Sequence, residues 1–388
     1  MVGYVTLPRG IRAVLRPLLA VAAAWPVSGV GSLHGQAPQD GGVRRVLIIG
    51  GSPIDPETRW FEGTVGLQAL PGGRIAVSSR KSYNVRIFDD KGRLLRSMGR
   101  KGEGPGELSS PGAPRLVGDR IAVSANLGRI AWFDTLGKHI KTTSADLDSL
   151  RNPVWVLRHQ WVLTQRTPPV PKTVRMPVHQ LDVHYLLRRG RARADTIASV
   201  MPGLHVELRN GIVGSFNSTF PQSGDVAVIG DSVIVVADGI AGTVRWIRVD
   251  RDSARVLRQE TLPFPRRPVT ASEVSAAVRA MAESGQTIAT DGARGSAGRP
   301  PLRPINPPKA WSVARRVLAS EDGHVWVRTV DAPGGAWGWM VFPPSGPPLR
   351  IELPRRFTAY DVEGTRIYGT EPQGDDAIMA LVVYELRR

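Results

Sequence analysis

Short apolar runs alternate with turn residues along nearly the whole chain, and two of these runs are copies of each other. Residues 74–78 and 120–124 both read Arg-Ile-Ala-Val-Ser. About a dozen residues after each comes Phe-Asp-x-x-Gly, as Phe88–Gly92 and as Phe133–Gly137. The step from Arg74 to Arg120 is 46 residues and that from Phe88 to Phe133 is 45, a spacing in the range of propeller blades. In the first motif Ile75 and Val77, or Ile121 and Val123, share one face of a strand. In the second, the Asp side chain caps a tight turn and Gly takes the positive φ the turn needs. The next strand leaves at Leu94-Leu95 or at His139-Ile140, so each pair of motifs predicts a hairpin with period-two alternation.

Looser copies extend the pattern. Asp231–Val236 leads to Trp246–Asp250, Gly323–Val327 to Met340–Phe342, and Thr365–Tyr368 to Leu381–Tyr384. A weaker copy starts at Gln160–Leu163 and returns at His184–Leu187 after a long Pro-rich hairpin. Six hairpin units are thus expected, beginning near Ile75, Ile121, Trp161, Val233, Val325 and Ile367. Each has an apolar segment before it, such as Val65–Leu70, Val154–Leu157 and Ser312–Leu318. Four antiparallel strands per unit make a blade that cannot bury both faces alone, so blades must stack in a ring. The predicted fold is an all-β, six-bladed β-propeller of four-stranded antiparallel blades. Arg45–Ile49 is left over and is expected to pair with the last unit, closing the ring and removing its open edges.

The stretch Gly99–Leu108, followed by Pro111, resembles the inter-blade loop of bacterial six-bladed β-propellers related to NHL repeats. The preceding YNVRIFDDKGRLLRSMG and the later EDGHVWVRT resemble blade strands of that group. The likeness covers most of residues 43–388 and is strongest over 63–140. It implies a fold far more than an activity. Gly102, Glu103, Gly104, Pro105, Gly106 and Glu107 read as a rigid linker from one blade's outer strand to the next inner strand. The loop lacks the Gly-Lys-Ser/Thr of a phosphate loop and opens no helix; a cation held by Glu103 and Glu107 is the other reading.

Composition narrows the picture. Of 388 residues 41% are hydrophobic, enough for a sizeable core, and Gly (42) and Pro (32) supply the punctuation of many short strands. With no cysteine, disulfides, thiolate nucleophiles and Cys-based zinc sites are excluded. Arg9, Arg12 and Arg16 precede the apolar run Leu18–Ala24, and small residues lead to Gly35-Gln36-Ala37. This reads as a signal peptide over 1–37, with a buried first helix as the alternative. Residues 38–388 are then one propeller, exported to the periplasm or outside the cell, with no membrane span and as a monomer. The net charge of +17 suits an anionic polymer as partner, although the arginines are scattered along the surface rather than clustered in a basic run.

Between about 263 and 308 the repeat breaks. Thr270-x-x-Glu273 forms a capping box for a short amphipathic helix over about 272–284, with Val274, Val278 and Met281 on one face. A Gly/Pro/Arg stretch follows, so this insertion on the rim reads as a lid, a docking element or decoration.

Catalytic signatures are absent from the sequence: it holds no Gly-x-Ser-x-Gly and no His-Glu-x-x-His. His179 and His184, five apart, would point to opposite faces of one continuous strand. Channel-mouth residues for a ligand are expected among Arg59, Trp60, Glu62, Arg115, Asn152, Trp155, Asn217, Trp311 and Arg315, where aromatics beside arginines suit a sugar or an anion. Most of the ten tryptophans are expected between blades. Asn217-Ser218-Thr219 is formally a glycosylation sequon. Two functions follow. One is a non-catalytic binding propeller taking a protein, peptide or glycan on one face. The other is a hydrolase, lactonase or lyase using calcium at the channel, with Asp55, Glu57, Glu62, Asp361 and Glu363 as acids to consider.

Overall fold

The computed structural model describes residues 39–51, 61, 63–126, 129–144, 153–166, 178–180, 183–189, 195–200, 204–209, 212–217, 224–265, 267–273, 275–276, 310–329 and 338–387. The signal-peptide reading of 1–37 and most of the 263–308 insertion lie outside them.

Strand follows strand through this range. β1 (Gln39–Asp40) and β2 (Val43–Gly50) come first. β3 (Thr64–Leu70), β4 (Arg74–Ser79), β5 (Asn84–Phe88) and β6 (Leu94–Met98) form one antiparallel meander. β7 (Arg115–Val117), β8 (Arg120–Asn126), β9 (Arg129–Asp134) and β10 (His139–Ser144) form the next. β11 (Pro153–Val156) and β12 (Trp161–Arg166) follow; the chain then leaves through β13 (Val178–Gln180) and returns as β14 (Val183–Arg189) and β15 (Asp195–Val200) to complete a third sheet. β13 pairs instead with β16 (Leu204–Arg209), which also pairs with β17 (Ile212–Asn217). β18 (Gly224–Ile229), β19 (Val233–Asp238), β20 (Thr243–Val249) and β21 (Ala254–Thr261) make another meander. So do β22 (Ala314–Ala319), β23 (Val325–Thr329), β24 (Gly338–Phe342) and β25 (Leu349–Glu352). Last come β26 (Thr358–Glu363), β27 (Arg366–Gln373) and β28 (Ile378–Leu386).

The first strands of successive sheets adjoin one another, β18 beside β22, β22 beside β26, β26 beside β3 and β3 beside β7, the arrangement of a β-propeller. As expected, the leftover segment closes the ring. β2 lies antiparallel to β28, with Ile48 opposite Val382 and Ile49 opposite Leu381. The repeat is less uniform than predicted. The four-stranded antiparallel blade occurs five times, not six. The sheet of the Val325 unit has five strands, because β1 adds in parallel to β25, Gln39 opposite Leu349 and Asp40 opposite Arg350. The outermost strand of a meander leaves unpaired N–H and C=O groups, and β1 covers part of that edge. The small sheet of β13, β16 and β17 is the second departure, and no repeat motif announced it.

The core sits between sheets rather than within any one of them. Val85, Ile87 and Met98 pack on Ile121, Val123 and Phe133 of the next sheet. Val235 and Trp246 pack on Val325 and Met340. Trp326 and Trp339 pack on Phe357 and Val382, and Tyr368 and Leu381 on Ile75 and Phe88. Trp246, Trp326 and Trp339 are buried in these layers. Gly66 is required by the same close stacking, since a Cβ there would lie 2.2 Å from Ala113 Cβ at the approach to the next inner strand.

The Gly-rich loop is the linker the sequence predicted. It leaves β6, lays Leu108 into the core with no exposure, and hands on to β7 after Ser109, Ser110 and Gly112 bond the backbone of Ala125 and Ser124. Glu107 holds it from inside: Gly104 N–H donates to Oε2 at 2.8 Å and Arg100 Nε to Oε1 at 2.8 Å. The Gly104 and Arg100 donors hold the Glu107 carboxyl below its ordinary pKa. Glu103 presents its carbonyl to Arg129, and Gly106 N–H reaches Thr142.

Candidate functional site

The inner strands carry polar side chains, and several of these reach the next inner strand. Ala69 N–H donates to Asp361 Oδ2 at 2.7 Å and Gln68 Nε2 to the same oxygen at 2.8 Å, joining β26 to β3. Gln68 Oε1 in turn accepts from Leu116 N–H at 3.2 Å, joining β3 to β7. Asp225 accepts from Val226 N–H at 2.9 Å and from Val317 N–H at 3.2 Å, joining β18 to β22. The effect is a belt of hydrogen bonds between backbone amides and side-chain oxygens around the inner wall. Burial pushes the Asp361 carboxyl up to about 7, against the opposing pull of Ala69 N–H, Val362 N–H and Arg115; Glu363 adds to the rise. The residue as a whole is only partly buried.

Cations collect one sheet back along the ring. Arg316 of β22 stands opposite Arg328 of β23, and Arg315 is the extra residue where the register slips between Ala314 and Arg316. All three are half-buried. Arg316 packs over the Tyr360 ring of the closing sheet, 5.7 Å from its centroid. Loss of water and the neighbouring Arg328 charge push Arg315 down to about 10; loss of water and Arg316 lower Arg328 in the same direction.

Immediately before β22 the chain returns from the insertion, and the insertion's two ends are tied together there. Trp311 N–H donates to the Arg267 carbonyl at 2.8 Å, and Pro268 and Ala310 form an isolated bridge. Glu273 accepts from Arg267 Nη2 at 2.6 Å and from Trp311 Nε1 at 3.2 Å, while the Arg267 guanidinium lies 5.1 Å from the Trp311 ring centroid. The predicted capping box is present, Thr270 N–H to Glu273 Oε2 at 2.9 Å and Glu273 N–H to Thr270 Oγ1 at 3.3 Å. Helical residues 271–273 and 275–276 follow it; Val274, Val278 and Met281 lie outside the described residues. The Arg267 bond, then the Thr270 amide, hold Glu273 down to about 2.

The sequence-predicted mouth residues separate in this frame. Arg115 opens β7 close enough to Asp361 to lower its pKa, and Arg315 falls in the arginine cluster. Trp311 belongs to the insertion's clamp. Trp155 lies in β11 opposite Leu163, and Asn217 in β17 opposite Leu204, in the small extra sheet. Arg59, Trp60, Glu62 and Asn152 lie outside the described residues. His179 and His184 are not on one strand: they fall on β13 and β14, in different sheets. Among the described residues no three His, Cys, Asp or Glu side chains gather as a metal site. Arg316, Arg328, Tyr360 and Gln68 were missed. Only the register of β22 on β23 and the approach of β26 to its neighbours bring them together, and neither is written as a motif.

No sequence family and no curated protein matches the chain. Solved structures resemble it remotely. A Bacteroides fragilis protein inferred to be exported is 10% identical over 89% of this chain and 96% of its own, with a TM-score of 0.49. Virginiamycin B lyase from Staphylococcus aureus is 8% identical over 88% and 98%, at 0.35. The aldose sugar dehydrogenase of Streptomyces coelicolor, solved with PQQ, is 12% identical over 90% and 99%, at 0.37. None of these transfers a location, ligand or activity to this chain. Among the described residues no helix is long and apolar enough to cross a membrane.

Proposed function

We propose that this chain is an exported, non-catalytic binding propeller of the NHL-related kind, recognising a protein, peptide or glycan on one axial face. The observation that carries the reading is a convergence. The anchored ends of the rim insertion run directly into β22, whose first residues form the arginine cluster against Tyr360. One face therefore offers the anchored ends of the insertion beside cations and an aromatic ring, which suits recognition of a polar ligand. The acids of the inner wall support the same reading, because Asp225 and Asp361 serve the backbone of neighbouring strands rather than converging on one point. Export rests on the basic and apolar N-terminal pattern of residues 1–37.

The test is binding of purified residues 38–388 to glycan and peptide arrays, alongside melting curves in calcium and in EDTA. The expected result is a ligand bound equally well in EDTA, with binding weakened at least tenfold by Trp311→Ala, which unpins the insertion. A melting temperature raised by calcium and reversed by EDTA, together with array ligands being cleaved, would overturn this in favour of a metal-dependent hydrolase, lactonase or lyase.

A further inference from the structure

Exposed aliphatic side chains scattered singly over a surface need no explanation, but in this protein they are gathered. Among the described residues, every exposed large hydrophobic except Leu257 lies on the closing sheet or the two sheets that follow it. Val46 and Ile48 are on β2, Leu94 and Leu95 on β6, Leu136 in the turn before β10 and Ile140 on that strand. β2, β6 and β10 are the outermost strands of their sheets, and they follow one another along the rim. A Cβ on Gly92, in the turn before β6, would lie 2.9 Å from Ile49 Cγ1 of β2. One on Gly137, in the turn before β10, would lie 2.9 Å from Arg96 Cδ of β6, and Arg96 Nη1 donates to the Leu136 carbonyl at 3.3 Å. Each of the three strands slips register by one residue, and the extra residues are Val46, Leu95 and Ile140. A bulge disrupts the ladder an added strand would need, so contact with this rim is made by side chains rather than backbone.

The same segments carry cations. Arg44 pairs with Glu385 and Arg93 with Asp89, whereas Arg45, Lys91, Arg96, Lys138 and Lys141 are exposed and make no ion pair among the described residues. Asp89 and Asp134 are engaged inside their turns, on the amides of Lys91 and Arg93 and of Leu136 and Lys138. Asp90 is the exposed acid of residues 43–50, 89–98 and 134–144. A second copy of the chain is opposed on this rim, because a two-fold contact sets the same cations against each other. We infer that the rim from β2 across β6 to β10 is a docking surface for an anionic lipid membrane. Aliphatic side chains entering the boundary between headgroups and acyl chains need no shaped pocket, only apolar area beside charge. The flanking lysines and arginines reach the anionic headgroups while their stems lie along the apolar patch. The rim lies apart from the insertion, whose ends meet just before β22, so docking here is independent of ligand recognition there.

The test is co-sedimentation of residues 38–388 with vesicles of phosphatidylcholine alone and of phosphatidylcholine with about 30% phosphatidylglycerol. The expected result is protein carried down by the anionic vesicles and left in solution by the neutral ones, the bound fraction falling as salt rises. Leu95 and Leu136 are the most exposed of these side chains, at 53% and 68%. Leu95→Ser combined with Leu136→Ser should weaken vesicle binding about tenfold and leave the melting temperature unchanged. Arg45→Gln combined with Lys138→Gln should weaken it as well, whereas Leu257→Ser, on β21 and off the patch, should not. No sedimentation with anionic vesicles would overturn the assignment, as would an equal loss in Leu257→Ser. Binding undiminished in the double leucine variant would also overturn it, because charge spread over the whole molecule would then account for the attraction. A dimer seen by light scattering and dissolved by that same variant would give the rim to a second copy instead.

Discussion

Asp361 accepts two N–H bonds that join the closing sheet to the first meander, yet burial pushes its carboxyl up to about 7. The consequence for stability has a definite sign. Below about pH 4 the group is protonated in folded and unfolded chains alike. As pH rises from there to about 7 the unfolded chain loses its proton first, so stability falls, and above 7 the loss is complete. Three pH units of displacement correspond to at most on the order of 4 kcal/mol. Urea unfolding followed by tryptophan fluorescence should therefore show stability declining across pH 4–7, and Asp361→Asn should flatten that decline. The amide keeps an oxygen for Ala69 and Gln68, so the variant is expected to be the more stable protein at pH 8. A parent and variant with parallel pH profiles would show that Asp361 is ionised throughout. The residue was visible in the sequence only as one of several carboxylates in the last unit. Its partners, Gln68 and Ala69, are 293 and 292 residues away in the chain, and only ring closure makes them neighbours.

At the scale of an element, the loop 99–108 was legible because its chemistry is local. Gly102 and Gly104 leave room for the Glu107 carboxylate, and a Cβ at Gly102 would come within 2.1 Å of Oε2. Gly102→Ala and Glu107→Ala should break the same set of bonds. Each is expected to lower the melting temperature and to speed proteolytic cutting between Arg100 and Gly106. The double variant should be little worse than either single one, since both remove one unit. Additive losses in calorimetry would mean the two residues act independently. The capping box at Thr270 and Glu273 was readable for the same reason, three residues apart on one turn. What Glu273 also does, bonding Trp311 38 residues on, was not readable. Trp311 looked like a ligand-facing aromatic, and the clamp takes up its indole N–H instead.

For the whole molecule, closure is the decisive event. β2 contributes buried Ile49 and a full ladder to β28, joining the start of the propeller to its end. A chain beginning at Gly51 should lose cooperative unfolding, bind a hydrophobic dye and melt lower by on the order of 10 °C or more. A chain beginning at Val43 lacks only β1, whose two residues cover an outer edge, and should melt within a few degrees of the parent. Equal melting of all three chains would deny β2 its closing role. The repeat fixed in residues 74–137 was enough to predict stacked meanders, because period-two alternation and Asp/Gly turns are short-range rules that each hairpin obeys alone. That pattern also anticipated the closing strand, since an unpaired apolar run in a ring has one free edge to fill. The number of regular four-stranded blades, the fifth strand β1 beside β25, and the side sheet of β13, β16 and β17 were settled by pairings between distant segments. The pairing of Arg316 with Arg328 belongs to the same class. A sequence records which residues alternate and where turns fall; which cations end up opposite one another depends on register and on the neighbouring sheet, and those exist only once the ring has formed.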